Sequence, residues 1–259
     1  MLLCFLIILF TSFTRQVLAQ EATPAAGLFE TYKTDYLFQQ KIYQEDYLDY
    51  FRKKQIHTQY GTLITQKDKN EATIKFLITR NTMLKAYLLA LRVKLDQYEA
   101  QNPTDTEIAQ IGLSKLEEWL VEQNTILSSI NNESDTSEWA ETFKNKYTDI
   151  QQQIYTSLVQ NEANQKTLVL KDIKKLADDI KNSPKIKPES QQWFSSLPTK
   201  SDLVISALND ALKKTQKSQY SGSNFQDFYS ETKIDLNKAN GYLAEMVSNL
   251  KSIVVKFSN

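Results

Sequence analysis

The side chains that most often carry enzyme chemistry are nearly absent from this chain. His57 is its only histidine and Cys4 its only cysteine. Di-iron bundle sites need a Glu-x-x-His pair from each of two helices, so a single histidine rules them out. A His-rich zinc site cannot form, and no His-Glu-x-x-His motif is present. A Ser-His-Asp triad would have to use His57, which follows Lys53, Lys54 and Gln55 and reads as a helix-surface residue. Five scattered glycines build no phosphate-cradling loop. Carboxylates cluster at Glu45-Asp46 with Asp49, at Glu117-Glu118 and at Asp178-Asp179. Glycoside hydrolysis needs two carboxyls facing across a cleft. Adjacent carboxylates on one helix diverge by about 100° and face no common substrate. A hydrolase of the cell envelope would need a cleft that only the fold could assemble. The expectation is therefore no catalytic residue, no metal and no cofactor.

Tyrosine supplies the one unusual cluster. Tyr32, Tyr36, Tyr43, Tyr47 and Tyr50 fall within about 60° of one helical face, with Phe29 and Phe51 beside them. Such a strip packs against another helix with its hydroxyls at the rim. Alternatively it binds a glycan, a peptide or a partner helix, since tyrosine is favoured at interfaces. These five residues are the candidate binding site. Asn81 and Gln123 interrupt otherwise apolar stripes, where a polar residue sets register or partner choice at a cost in stability. They are expected either to meet inside the bundle or to lie at an exposed edge. Asn132-Glu133-Ser134 matches the glycosylation acceptor pattern in an expected loop, a match common by chance.

The elements that position these residues follow from one spacing. Four stretches place apolar residues alternately three and four apart, which keeps them on one narrow helical stripe. The cleanest runs Phe225, Tyr229, Thr232, Leu236, Ala239, Leu243, Met246, Leu250, Ile253, Phe257. The first helix is expected from about Thr31 to Gln59, with Gly61 as a left-handed cap. Thr65 and Asp68 suggest a capping box for the second, which carries Ile74, Leu77, Asn81, Leu84, Leu88, Leu91, Leu95 and Tyr98 to about Gln101. Asn102-Pro103 breaks it. A third helix, boxed by Thr104 and Glu107, runs to about Ile130 with Ala109, Leu113, Leu116, Leu120, Gln123 and Leu127 inward.

After a loop over Asn131 to Ser137, a long fourth helix presents Trp139, Phe143, Tyr147, Ile150, Ile154 and Leu158. Its stripe lapses over Gln160 to Lys166, at a bend or where the helix outruns its neighbours, and resumes near Leu168. Pro184, Pro188 and Pro198 bracket an irregular stretch holding a short turn with Trp193 and Phe194. A fifth helix spans roughly Ser201 to Gln219, and a sixth, capped by Ser223, continues almost to Asn259. Long helices with short connections lie antiparallel. The fold class is all-α: an elongated antiparallel bundle with coiled-coil-like packing at about +20°.

Composition agrees. Gly 5 and Pro 5 are too few for strands joined by tight turns. Lys plus Arg and Asp plus Glu each number 31, so nothing in the balance points to nucleic acid or to an anionic membrane surface. Leu2 to Phe10, extended by Phe13, is apolar but reaches only roughly 18 Å, short of a hydrocarbon core of about 30 Å. Val17-Leu18-Ala19 before Gln20 fits signal-peptidase cleavage. Residues 1–19 are thus expected to be a signal peptide, 20–30 a flexible lead-in and 31–259 the helical bundle, with a subdivision near 184–198 as the alternative. An uncleaved N-terminal anchor is the other reading of the first segment. Cleavage removes Cys4 and with it every disulfide and thiolate role. It also removes Arg15, leaving 30 basic against 31 acidic residues.

The segment Ile74 to Gln97, above all Arg80-Asn81 and Tyr87-Leu88-Leu89-Ala90-Leu91-Arg92, resembles uncharacterised exported helical proteins of small-genome candidate-phylum bacteria. The resemblance covers the first third of the mature chain, and implies export and helical architecture but no activity. The functional expectation is an exported, non-enzymatic bundle acting by surface contact in the cell envelope. Its partners would be a protein, a second copy of the chain, or an envelope glycan. The alternative is a membrane-active protein, touching the bilayer through the N-terminal segment or the C-terminal helix at Ile253, Val254, Val255 and Phe257.

Overall fold

The computed structural model describes residues 24–97, 103–182, 191–215 and 225–258. Among these it contains six α-helices and no strand: α1 (Pro24–Tyr60), α2 (Leu63–Asp96), α3 (Pro103–Ser129), α4 (Glu133–Lys181), α5 (Gln191–Thr215) and α6 (Phe225–Ser258). The all-α bundle stands. Residues 1–23, with the expected signal peptide, lie outside the described residues, as do Tyr98, Pro184, Pro188 and the Ser223 cap.

Several boundaries differ from the sequence reading. α1 already begins at Pro24, so residues 24–30 are helix rather than lead-in. Proline at a first helical position loses no hydrogen bond, because that N–H has no partner inside the helix. Gly61 adopts φ 60°, the left-handed cap expected of it. The cap of α2 is Thr62, not Thr65: Thr65 N–H donates to Thr62 Oγ1, and the Thr65 hydroxyl accepts from the Thr62 backbone. A hydroxyl at the third position closes the reciprocal box as a carboxylate would. The expected loop over 131–137 shrinks, because Asn132 caps α4 by accepting from Asp135 N–H. α5 starts ten residues early and runs through Pro198, so Trp193 and Phe194 stand on its first turn, not on a separate turn.

The core forms two main clusters strung along α4. The first joins α1, α2, α3 and the front of α4 through Tyr36, Tyr43, Leu84, Leu88, Leu95, Leu113, Leu120, Phe143 and Ile150. The second joins the back of α4 to α5 and α6 through Val159, Leu170, Val204, Leu208, Leu236 and Met246. The division falls between Leu158 and Val159, within α4. There Ser157, Leu158, Val159, Gln160, Asn161, Ala163 and Asn164 are all buried. The lapse in the α4 stripe is therefore not a helix outrunning its neighbours. One set of neighbours is exchanged for another, so burial surrounds the helix and no stripe remains. Two of the polar side chains inside find partners: Gln160 Nε2 donates to Asn164 Oδ1 (2.9 Å), and Asn164 Nδ2 to Thr106 Oγ1 on α3 (3.2 Å), while Ser157 Oγ and Asn161 Oδ1 are buried without one.

α1 packs along α2 and scarcely on any other helix. α2, wedged between α1 and the α3–α4 pair, buries Met83, Ala86, Tyr87, Ala90 and Val93 as well as Leu77, Asn81, Leu84, Leu88, Leu91 and Leu95 of its expected stripe, in which Ile74 is half-buried. Asn81 and Gln123 are both buried, so neither lies at an exposed edge. Neither Asn81 amide atom has a hydrogen-bond partner, so the two residues are not bonded to each other.

Candidate functional site

The tyrosine strip of α1 divides once it meets α2. Tyr36 and Tyr43 are core residues, Tyr32 and Tyr50 are half-buried, and Tyr47 is exposed. Helical spacing dictates this, because positions near the centre of the stripe point at α2 and those at its margin reach solvent. Tyr36 packs on Tyr87 with ring centroids 5.5 Å apart. Tyr43, Tyr47 and Tyr50 gather around one ring of α2, Phe76, at 5.5, 5.4 and 5.3 Å. Tyr32 lies farther along, against the small cluster of Phe29, Ala90 and Val93. Of the five predicted residues, the fold brings three together and leaves Tyr32 and Tyr36 with other neighbours. Burial raises the Tyr43 phenol, a shift that the charge of Arg80 partly offsets.

Arg80 extends this aromatic wall. It stands one helical turn beyond Phe76 on α2 and lays its guanidinium on α4. Its Cζ is 3.8 Å from the Phe143 ring centroid and 5.4 Å from that of Trp139. Tyr147 continues the same face, 6.4 Å from Phe143. Burial pulls the Arg80 pKa down to about 10, against the opposing pull of Tyr43 and Tyr147, so the group is still a cation at neutral pH. Its Nε and Nη2, and the neighbouring Trp139 Nε1, are buried without a hydrogen-bond partner. No carboxylate among the described residues forms an ion pair with it. Other inward charges of the first cluster are paired: Asp46 with Lys75 (2.8 Å) and Glu117 with Arg92 (3.3 Å).

A cation held by rings, with buried donors left unbonded beside it, would gain from a carboxylate or a similar planar anion that reached it. It offers no proton-transfer partner and no nucleophile. The sequence reading missed Arg80 as a site residue. The available signal was the pairing of Phe76 and Arg80, four apart, with Trp139, Phe143 and Tyr147, four apart on another helix. Nothing in either spacing says that the two helices face each other.

The remaining candidates lie apart. His57 is half-buried, its Nδ1 3.1 Å from Thr65 Oγ1 across the α1–α2 turn. Asp49 is engaged by Arg52 and Lys53, and Asp178 and Asp179 face solvent. Among the described residues no three His, Cys, Asp or Glu side chains gather as metal ligands, and no helix is long and apolar enough to cross a membrane. No protein-family model matches the chain, and no curated protein or solved structure is significantly similar to it.

Proposed function

We propose that the chain is an exported, non-catalytic helical bundle that works by contact, binding a partner in the cell envelope through the wall formed by α1, α2 and α4. In this reading residues 1–19 are a cleaved signal peptide, with an uncleaved anchor as the alternative. Coiled-coil-like seams hold the body, and the kinship is with exported helical proteins of candidate-phylum bacteria.

Arg80 is the observation that supports binding. An isolated buried charge is expensive, and stacking on aromatic rings offsets about 2 kcal/mol or somewhat more when desolvated. A carboxylate that reached these donors, buried in the free chain, would complete the guanidinium fork, while Tyr47 and Tyr50 around Phe76 offer aromatic surface one helical turn away. The partner is then a protein segment or envelope glycan that carries carboxylates.

A glutamate-rich peptide should raise the thermal midpoint of the native chain. At a hundred times its Kd a ligand adds about 2.7 kcal/mol to stability. Arg80→Gln should abolish that rise while circular dichroism remains helical, and Arg80→Lys should restore only part of it. Equal shifts in native and Arg80→Gln protein, or none in either, reject the site. Pull-downs from envelope extracts that return neither protein nor glycan would reject partner binding as a whole.

A further inference from the structure

The turn between α1 and α2 carries the two most exposed large apolar side chains of the described residues, Leu63 at 85% and Ile64 at 74%. Tyr60, across Gly61 from them, and Ile56, one turn back on α1, are exposed as well. Isolated exposed apolar residues need no explanation, but four at one apex form a patch.

Three further observations say what this patch meets. First, the apex protrudes. Glu133, which opens α4, reaches Lys69 at 2.8 Å and also bonds Gln66. The five residues from Gln66 back to Gly61 carry the turn roughly 7 Å past Glu133, at ~1.5 Å per residue, and the neighbouring α3–α4 turn has only residues 130–132 on that side. Interfacial elements bury their apolar faces to a similar depth, about 5–10 Å.

Second, the apex wears a basic collar. Within residues 52–69, Arg52, Lys53, Lys54, Lys67 and Lys69 stand against one acid, Asp68, in a chain whose charges balance as a whole. Asp49 and Glu71 pair with Arg52, Lys53 and Lys67 from the side away from the turn, and Glu133 of α4 pairs with Lys69. The exposed pair of Lys67 with Glu71 and the exposed Arg52 are worth little in water and exchange readily for phosphate, whereas Lys69, its side chain only 13% exposed, stays with Glu133. Third, the polar groups of the turn bond inward. Gly61 N–H donates to His57 O (2.8 Å), Gln66 N–H to Thr62 O (2.9 Å), and Thr62 and Thr65 cap each other. His57 closes the turn through Thr65. Groups bonded in this way cost less to bring into an apolar interface.

We infer that the α1–α2 apex is a membrane-docking point: Leu63 and Ile64 enter the interface of an anionic bilayer, Tyr60 sits at headgroup level, and the lysine collar holds lipid phosphates. A second copy fits less well, because pairing two apices would bring two basic collars together. The inference is independent of the Arg80 site, which lies nineteen residues along α2 from Gly61.

The test uses the full chain with Cys4→Ser and one environment-sensitive fluorophore, placed at Leu63→Cys or, as a remote control, at Asp172→Cys. Vesicles of phosphatidylcholine with about one quarter phosphatidylglycerol should shift the Leu63→Cys label to the blue and leave the control unchanged. Phosphatidylcholine alone should do neither. Adding Lys53→Gln, Lys54→Gln and Lys67→Gln should raise the lipid needed for half the shift by roughly tenfold or more. Salt at about 0.5 M should act in the same direction. A silent Leu63→Cys label, an equal response at Asp172→Cys, or indifference to lipid charge overturns the inference. A concentration-dependent shift without vesicles would assign the apex to self-association and overturn it too.

Discussion

Asn81 shows how far one residue can work against the fold that contains it. It is wholly buried in the first cluster, and both amide atoms lack a hydrogen-bond partner. A buried polar group left unbonded costs about 1–3 kcal/mol. Asn81→Leu should therefore raise the unfolding free energy, read from urea titration, by an amount in that range and loosen the choice of oligomeric state. A fall in stability would mean that the amide is bonded in solution. Arg80 is the cationic counterpart one position earlier. Stacking on Phe143 and Trp139 shelters the charge, while Nε and Nη2 are buried without a hydrogen-bond partner.

At the scale of the element, α5 holds the clearest internal conflict. Pro198 is its eighth residue, where a proline lacks the N–H that would bond the Phe194 carbonyl. Around it Ser195 Oγ donates to Gln191 O (3.0 Å), Ser196 Oγ to Trp193 O (2.8 Å) and Ser201 Oγ to Leu197 O (2.8 Å). The helix survives because Phe194, Leu197, Val204 and Leu208 bury on either side of the proline. Pro198→Ala should stabilise the chain by about 1–3 kcal/mol, with thermal unfolding as the measurement. A loss would show that the residue is needed to steer Trp193 and Phe194 into the second cluster.

Across the whole molecule, Glu162 and Asp235 of the second cluster respond to acid oppositely to Glu117 of the first. In the second cluster burial alone would raise Glu162 and Asp235. The cations beside them outweigh it, Lys166 and Lys233 at Glu162, Lys214 and Lys238 at Asp235, so both carboxyls titrate below their ordinary range. Their contribution is complete above the ordinary carboxylate pKa and is lost as pH falls through the lowered values. In the first cluster burial raises Glu117 in spite of Arg92 and Lys85. Its ionised form therefore opposes folding, and that cost is relieved as pH falls through the raised value. Below about pH 4 hydrogen exchange, corrected for intrinsic rates, should rise first in α5 and α6 and later in α2 and α3. Earlier opening of α2 and α3 would contradict the assignment.

The seams of α3 and α6 were readable residue by residue. Ala109, Leu113, Leu116, Leu120, Gln123 and Leu127 are buried as their spacing required, and so are Thr232, Leu236, Ala239, Leu243, Met246, Leu250 and Ile253. Each of these helices buries one stripe, and a stripe is a local property of the chain. So is the left-handed Gly61. α2 and the centre of α4 were not readable in this way, because they are covered on several sides and periodicity reports only one. The cation at Arg80, the split of the tyrosine strip and the bare apex at Leu63 and Ile64 depend on which helices meet and where one overhangs another. Amino-acid order alone thus determined that the chain is helical and which faces seek cover. The tertiary arrangement decided which side chains were left uncovered or unpaired, because that depends on neighbours remote in sequence.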